Sequence, residues 1–231
     1  MCGRYTLTQV GPRLVGERFE LGEAPIEPAT LGRFNVCPTE DILVVTHKGP
    51  RAVRWGLVPS YSKQVGQGPL LINARSETVA SKKVFSRLLG RPERRCLVIA
   101  DGWYEWLRSE NPNQPRVPFR YTVDGGEPFA FAGLYGWTKL GEDFLASATI
   151  LTTRANDVCA PVHDRMPVVL GGPEEEAAWL AGADDPELLA PLAAARTSAR
   201  PANPAVNRAG VEGPELIEPP APVPDAQQQL L

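Results

Sequence analysis

Four residues of this chain carry side chains suited to covalent or proton-transfer chemistry, and they are far apart in sequence: Cys2, Asn73, Glu105 and His163. Cys2 follows the initiator methionine directly, and that methionine is ordinarily removed when the second residue is small. Its loss leaves an α-amine with a reference pKa of about 7.7–8.0 beside a thiol near ~8.5, so both groups reach nucleophilic form close to neutral pH. A 1,2-aminothiol has one reaction that an internal cysteine lacks. The amine condenses with an aldehyde to a Schiff base, the thiol adds to the same carbon, and a five-membered thiazolidine closes. Position alone does not separate this reading from that of an incidental second residue.

His163 lies in APVHDRMPVVL, where Asp164 and Arg165 are placed to set its charge state. It is suited to moving protons near neutral pH, or to capping a loop. Glu105 lies in DGWYEW between Tyr104 and Trp106. Burial among aromatics raises a carboxyl pKa and makes the group a proton donor, whereas the same residue on an exposed face would stay ionised. Asn73 and Arg75, in LINARSET, are two apart and share a face if the segment is extended. Asn73 can orient a reacting group and Arg75 can fork onto a phosphate; the alternative is a helix cap and a solvated cation. Arg4 is two residues from Cys2 and is expected on the same side of a strand. Pro38 and Thr39, with Trp55, are candidates for wedging or stacking against bases, and Trp55 serves equally well as a core residue.

The elements that must position these groups are many and short. Strands are predicted at 3–8, 42–47, 52–58, 95–100, 117–123, 128–135, 144–152 and 166–170, with an extended piece at 70–73. Helices are predicted at 9–20, from a cap at Ser76 to about Leu89, at 173–181 and at 185–195. Residues 60–69 and 111–118 read as loops, and the proline-rich end from 219 onward reads as a disordered tail. The pattern predicts an α+β fold, a single domain over 2–218 with a curved, barrel-like mixed sheet and peripheral helices.

Composition narrows the function. With 231 residues, 43% of them hydrophobic and 22% charged, the chain is an ordinary globular one with room for a substantial core. No apolar run approaches the roughly 20 residues of a membrane span, and the N-terminus lacks a secretory layout, so a cytoplasmic protein is expected, nucleoid-associated when bound to DNA. The cysteines at 2, 37, 96 and 159 form no CxxC pair, which argues against a disulfide framework or a zinc site; no metal and no cofactor are expected. The net charge of −3 arises largely from Glu212, Glu215, Glu218 and Asp225 at the C-terminal end. Nucleic-acid binding would therefore need a local arginine patch and not a globally basic surface.

Read in order, MCGRYT, FNVCPTE, RWGLVPSY, INARSET, RCLVIADGWYEW, ILTTRAN, VHDRMPVVL and GPELIEP resemble the SOS response-associated peptidase (SRAP) family, also called abasic-site processing proteins. The resemblance runs from Cys2 to about Pro219. It implies a mature N-terminal Cys2 that links covalently to abasic sites in single-stranded DNA, or at replication-fork junctions; a monomer is expected. It assigns Cys2 as nucleophile, Asn73 as the residue that positions the reacting centre, Glu105 as the acid/base that helps open the sugar, and His163 as a proton carrier. Arg4, Arg75 and Arg165 would contact backbone phosphates, and Pro38 and Trp55 would lie near splayed bases. AP-lyase and autopeptidase activities accompany it. Cys37 and Glu40 depart from the usual pattern, which more often has a small non-thiol and a neutral residue there. Two readings compete: an N-terminal-nucleophile cysteine hydrolase, and a non-covalent reader of damaged or modified single-stranded DNA.

Overall fold

The computed structural model describes residues 2–9, 11–107 and 116–219. In chain order the strands are β1 (Arg4–Leu7), β2 (Arg33–Val36), β3 (Asp41–Thr46), β4 (Gly49–Trp55), β5 (Asn73–Arg75), β6 (Arg95–Ala100) and β7 (Gly102–Leu107). They continue with β8 (Val117–Val123), β9 (Phe129–Leu140), β10 (Asp143–Arg154), β11 (Arg165–Pro167), β12 (Val169–Leu170) and β13 (Thr197–Pro201). The α-helices are short: α1 (Pro12–Arg18), α2 (Ser76–Val79), α3 (Lys83–Leu89) and α4 (Pro173–Ala181).

Two sheets form. In one, β4, β3, β6 and β9 pair in succession, β9 pairs with β10, and β10 returns to β4, so five strands close into a barrel. The sheet is mixed, because β10 runs parallel to β4 and β5 and antiparallel to β9 and β11. The other sheet is antiparallel, in the order β13-β8-β7-β1-β2. The expected α+β single domain with a barrel-like mixed sheet is thus the fold observed.

One face of the open sheet packs on the barrel. There Tyr5 meets Trp55 edge-on at 5.3 Å and Phe131 at 6.0 Å, and Trp103 stacks on Tyr121 at 5.2 Å. The opposite face carries a smaller core of Tyr104, Ala202, Val206 and Leu216, supplied by a C-terminal strap that lies over β7 and β2. Glu212 in the strap accepts from the backbone N–H groups of Phe34 (2.7 Å) and Asn35 (3.1 Å), which satisfies donors that the edge strand β2 would otherwise present to a foreign strand. Between β1 and β8 the buried Asp101 carboxylate accepts from Thr6 Oγ1, the Thr8 backbone N–H and Thr8 Oγ1, each at 2.6 Å, and from Arg120 at 3.2 Å. That network ties β1 to the β7–β8 hairpin.

Several expected elements shift. The helix foreseen over 76–89 is two helices broken at residues 80–82, and Arg75 occupies the N-cap with no side-chain bond, so Ser76 begins the helix and does not cap it. The alanine- and leucine-rich stretch 185–195 forms only single turns at Pro186–Leu189 and Ala194–Arg196, because Pro186 and Pro191 interrupt an α-helical ladder. β2, β7 and β13 lie outside the expected strands. The expected tail, apart from Pro219, and most of the loop 111–118 lie outside the described residues.

Candidate active site

β1 delivers Cys2 to the seam between open sheet and barrel. The residue is fully buried, its Sγ lies 3.8 Å from the Arg4 carbonyl, and its own carbonyl accepts from Asn73 Nδ2 at 2.7 Å. Asn73 stands on β5, the short strand that runs parallel to β10 with Asn73 beside Ile150. Cys2 therefore hangs on one layer and its amide partner on the other. Asn73 Oδ1 is buried and takes no hydrogen bond among the described residues. Burial raises the Cys2 thiol pKa far above its ordinary value, and the nearby Glu105 charge raises it further.

Glu105 enters the seam from β7. That strand pairs with β1 through Arg4–Tyr104 and Tyr5–Trp103, so alternation puts Tyr104 on the strap side and Trp103 and Glu105 on the barrel side. The carboxyl is buried, and desolvation lifts its pKa from 4.5 to about 7; the positive N-terminus opposes the rise and Asp164 adds to it.

His163 lies on the loop after β10, next to Asp164, whose charge reaches Glu105. Asn156 holds that loop: its Oδ1 accepts from the N–H groups of Val158 (3.2 Å) and Cys159 (3.0 Å), and its Nδ2 donates to Leu192 O (2.9 Å) and Thr197 Oγ1 (3.0 Å). The Cys159 carbonyl then accepts from the His163 N–H at 3.0 Å. His163 Nδ1 accepts from the Arg165 backbone N–H at 3.0 Å and lies 3.0 Å from Asp164 Oδ1. With Nδ1 accepting from that N–H, the neutral ring carries its proton on Nε2.

The remaining candidates divide. Trp55 is corrected: it is wholly buried, donates from Nε1 to Ile72 O at 3.0 Å and packs on Tyr5, so it is a core residue with no face to offer a base. Arg4 is also corrected as to side. Gly3 separates it from Cys2, and it points towards the strap, donating to Asn35 Oδ1 (2.7 Å) and Val206 O (2.6 Å). Arg165 donates to both oxygens of Glu77 (2.9 and 3.0 Å) and to Thr152 O (2.6 Å). Arg75 is exposed and makes no hydrogen bond or salt bridge among the described residues. Pro38 sits half-buried at the crest of a turn whose next residue, Thr39, has φ +80°, a backbone conformation costly for a β-branched side chain.

Two neighbours of Glu105 escaped sequence reasoning. Tyr121, opposite Trp103 on β8, and Cys159 both feel the Glu105 charge. Burial pushes the Cys159 thiol up to about 12, with Glu105 as the second cause. Only the place of Cys159 four residues before His163 could have marked it. Among the described residues no group of three or more His, Cys, Asp or Glu is arranged to hold a metal ion, and no helix is long and apolar enough to cross a membrane.

The sequence model of the family SOS response associated peptidase (SRAP) matches residues 1–209. The chain belongs to that family. Its relatives include the abasic site processing protein YoqW of Bacillus subtilis, 35% identical over 94% of this chain and 99% of the relative. YedK of Escherichia coli, with the same description, is 31% identical over 95% of this chain and 100% of its own. HMCES of Mus musculus, also described as an abasic site processing protein, is 30% identical over 72% of this chain and 56% of its own. A solved protein from Bacteroides thetaiotaomicron superposes with a TM-score of 0.83 at 18% identity, covering 94% of this chain and 99% of that one, a likeness of fold.

Proposed function

We propose that this SRAP member, once Met1 is removed, captures abasic sites in single-stranded DNA through a thiazolidine on Cys2. The observation that carries the reading is the meeting of Cys2, Asn73 and a buried Glu105 with a pKa of about 7 in one seam. The family's relatives, named for abasic-site processing, support the same substrate.

Each step has a group suited to it. Protonated Glu105 donates to the ring oxygen of the abasic deoxyribose, the bond from that oxygen to C1 breaks, and the C1 hydroxyl gives its proton to water as the aldehyde forms. The Cys2 amine adds to that carbon and water leaves, which forms the Schiff base. The thiol then adds to the imine carbon, its proton passes to the nitrogen, and the five-membered ring closes. Asn73 fixes Cys2 through its carbonyl, and its unsatisfied Oδ1 is available to accept from the attacking amine. His163 carries protons between the carbinolamine and solvent. β-Elimination from the Schiff base before thiol closure would give AP-lyase cleavage, and Glu105 with His163 would assist autocatalytic removal of Met1. Arg75 is the phosphate contact in best condition, and junction DNA would approach along the Pro38–Thr39 turn. A cysteine hydrolase is less well served, because a thiol held protonated by burial is a poor leading nucleophile, whereas here the amine leads.

The test is a denaturing gel of tag-free protein with single-stranded DNA bearing one abasic site. A heat-stable shifted band absent from Cys2→Ala is expected. Equal bands from both proteins, or none from a wild-type chain shown by mass to lack Met1, would sink the reading.

A further inference from the structure

Behind β5 the surface opens into a cleft of ≈ 720 Å³ between the segment that follows β4, helix α3 and the end of β9. Its walls carry Lys83, Arg87, Arg91 and Arg94, and no carboxylate lines it. By contrast Arg18, Arg33, Arg120, Arg165 and Arg196 are each paired with an acid. None of the four cleft cations is hydrogen-bonded through its side chain or ion-paired among the described residues. Two large aromatic side chains stand at the cleft in partial or full contact with solvent, Tyr61 at 77% exposure and Trp137 at 39%. The Arg51 guanidinium lies 5.8 Å over the Trp137 ring and holds its orientation. Leu57 and Leu88 beside Gly136 give the cleft an apolar floor.

Aromatic faces interleaved with unpaired arginines are the chemistry that binds single-stranded nucleic acid: bases stack, and phosphates meet the cations. The cleft also lies on the chain's route away from the proposed site, since Asn73 and the exposed Arg75 lead directly through α2 into α3. We propose that this cleft is a second nucleic-acid-binding surface that takes nucleotides of single-stranded DNA flanking the lesion. A base lies on Trp137 and the backbone runs along Lys83, Arg87, Arg91 and Arg94. The inference rests on the abasic-site reading for its substrate class.

The test uses fluorescence anisotropy of the full chain with undamaged 15-nucleotide single-stranded DNA, which requires no reaction at Cys2. Arg87→Gln with Arg91→Gln is expected to weaken Kd about 10-fold and to flatten the salt dependence by about 1.4 in log–log slope, the signature of two lost phosphate contacts. Trp137→Ala is expected to weaken it about 5-fold or more without changing that slope. Arg13→Gln with Arg200→Gln removes the same charge elsewhere and is expected to stay within about 2-fold of the parent, with melting curves confirming that all variants fold. Cleft variants that bind like this control would overturn the proposal. So would a polyglutamate peptide that outcompetes DNA and loses binding in the same variants, which would indicate an acidic protein partner. Free 2-deoxyribose, read as an adduct mass on Cys2, separates the two readings. Adduct without cleft-dependent DNA binding sinks only the cleft, and cleft-dependent binding without adduct sinks only the capture chemistry.

Discussion

Replacing Glu105 with glutamine tests the seam most directly, because one buried carboxyl governs both stability and rate. Its pKa is raised from 4.5 to about 7. Below the unfolded value both states are protonated and no penalty exists. Between pH 4.5 and 7 the unfolded chain ionises while the folded one resists, so stability falls as pH rises, and above 7 the loss is complete. A shift of this size corresponds to about 3 kcal/mol. Glu105→Gln keeps the shape and cannot ionise, so the parent should lose about 3 kcal/mol more than the variant between pH 4.5 and 8 in denaturant unfolding. The same shift sets the acid's availability. At pH 7 about half of the carboxyls are protonated, against about 0.3% for an ordinary glutamate, a gain of about 150-fold in the donating form. With an amine near ~7.8 that must be neutral to attack, the crosslinking rate should be bell-shaped with its maximum between about pH 7 and 8. In Glu105→Gln the alkaline limb should vanish. Parallel stability–pH curves for parent and variant, with an unchanged bell, would refute the assignment of Glu105 as a buried acid.

Asn73→Ala removes the bond to the Cys2 carbonyl; crosslinking, followed by quench-flow gels, should slow by about 10-fold or more while unfolding changes by only about 1 kcal/mol. Thr39→Gly relieves the φ of +80° and should stabilise the chain by about 1 kcal/mol, seen as a higher denaturant midpoint at constant slope. Asp101→Ala takes the carboxylate from Arg120 and from three donors on Thr6 and Thr8 and should cost about 3–5 kcal/mol in equilibrium unfolding.

Much of this architecture was readable from pattern, and the failures have local causes. The continuous apolar run of β6 and the turn-bounded run of β3 marked barrel strands, because such strands are buried along their whole length. β7 was hidden because GWYEW is aromatic on both faces, one side feeding the strap core and the other the seam, which erases the alternation that betrays a strand. Trp55 illustrates the limit for the site. An indole in a glycine- and proline-flanked motif looks the same whether it meets a base or Tyr5, and only the sheet packing decides. The contact between Asn73 and Cys2 spans 71 residues of chain and leaves no trace in either motif. Motif order singled out the candidate residues, whereas the division between engaged arginines (4 and 165) and the open one (75) needed partners that lie far off in sequence.

Because Cys2 is carried by the open sheet and Asn73 by the barrel, the alignment of the reacting groups is a measure of how the two layers lie on each other. A slip of about 1 Å between layers would leave each sheet's own hydrogen bonds intact and still separate nucleophile from partner, at a cost to rate of about 100-fold. Activity should therefore fade on warming before circular dichroism records any melting, so that the working lifetime of the protein is set by the fit between its two halves and not by the strength of either.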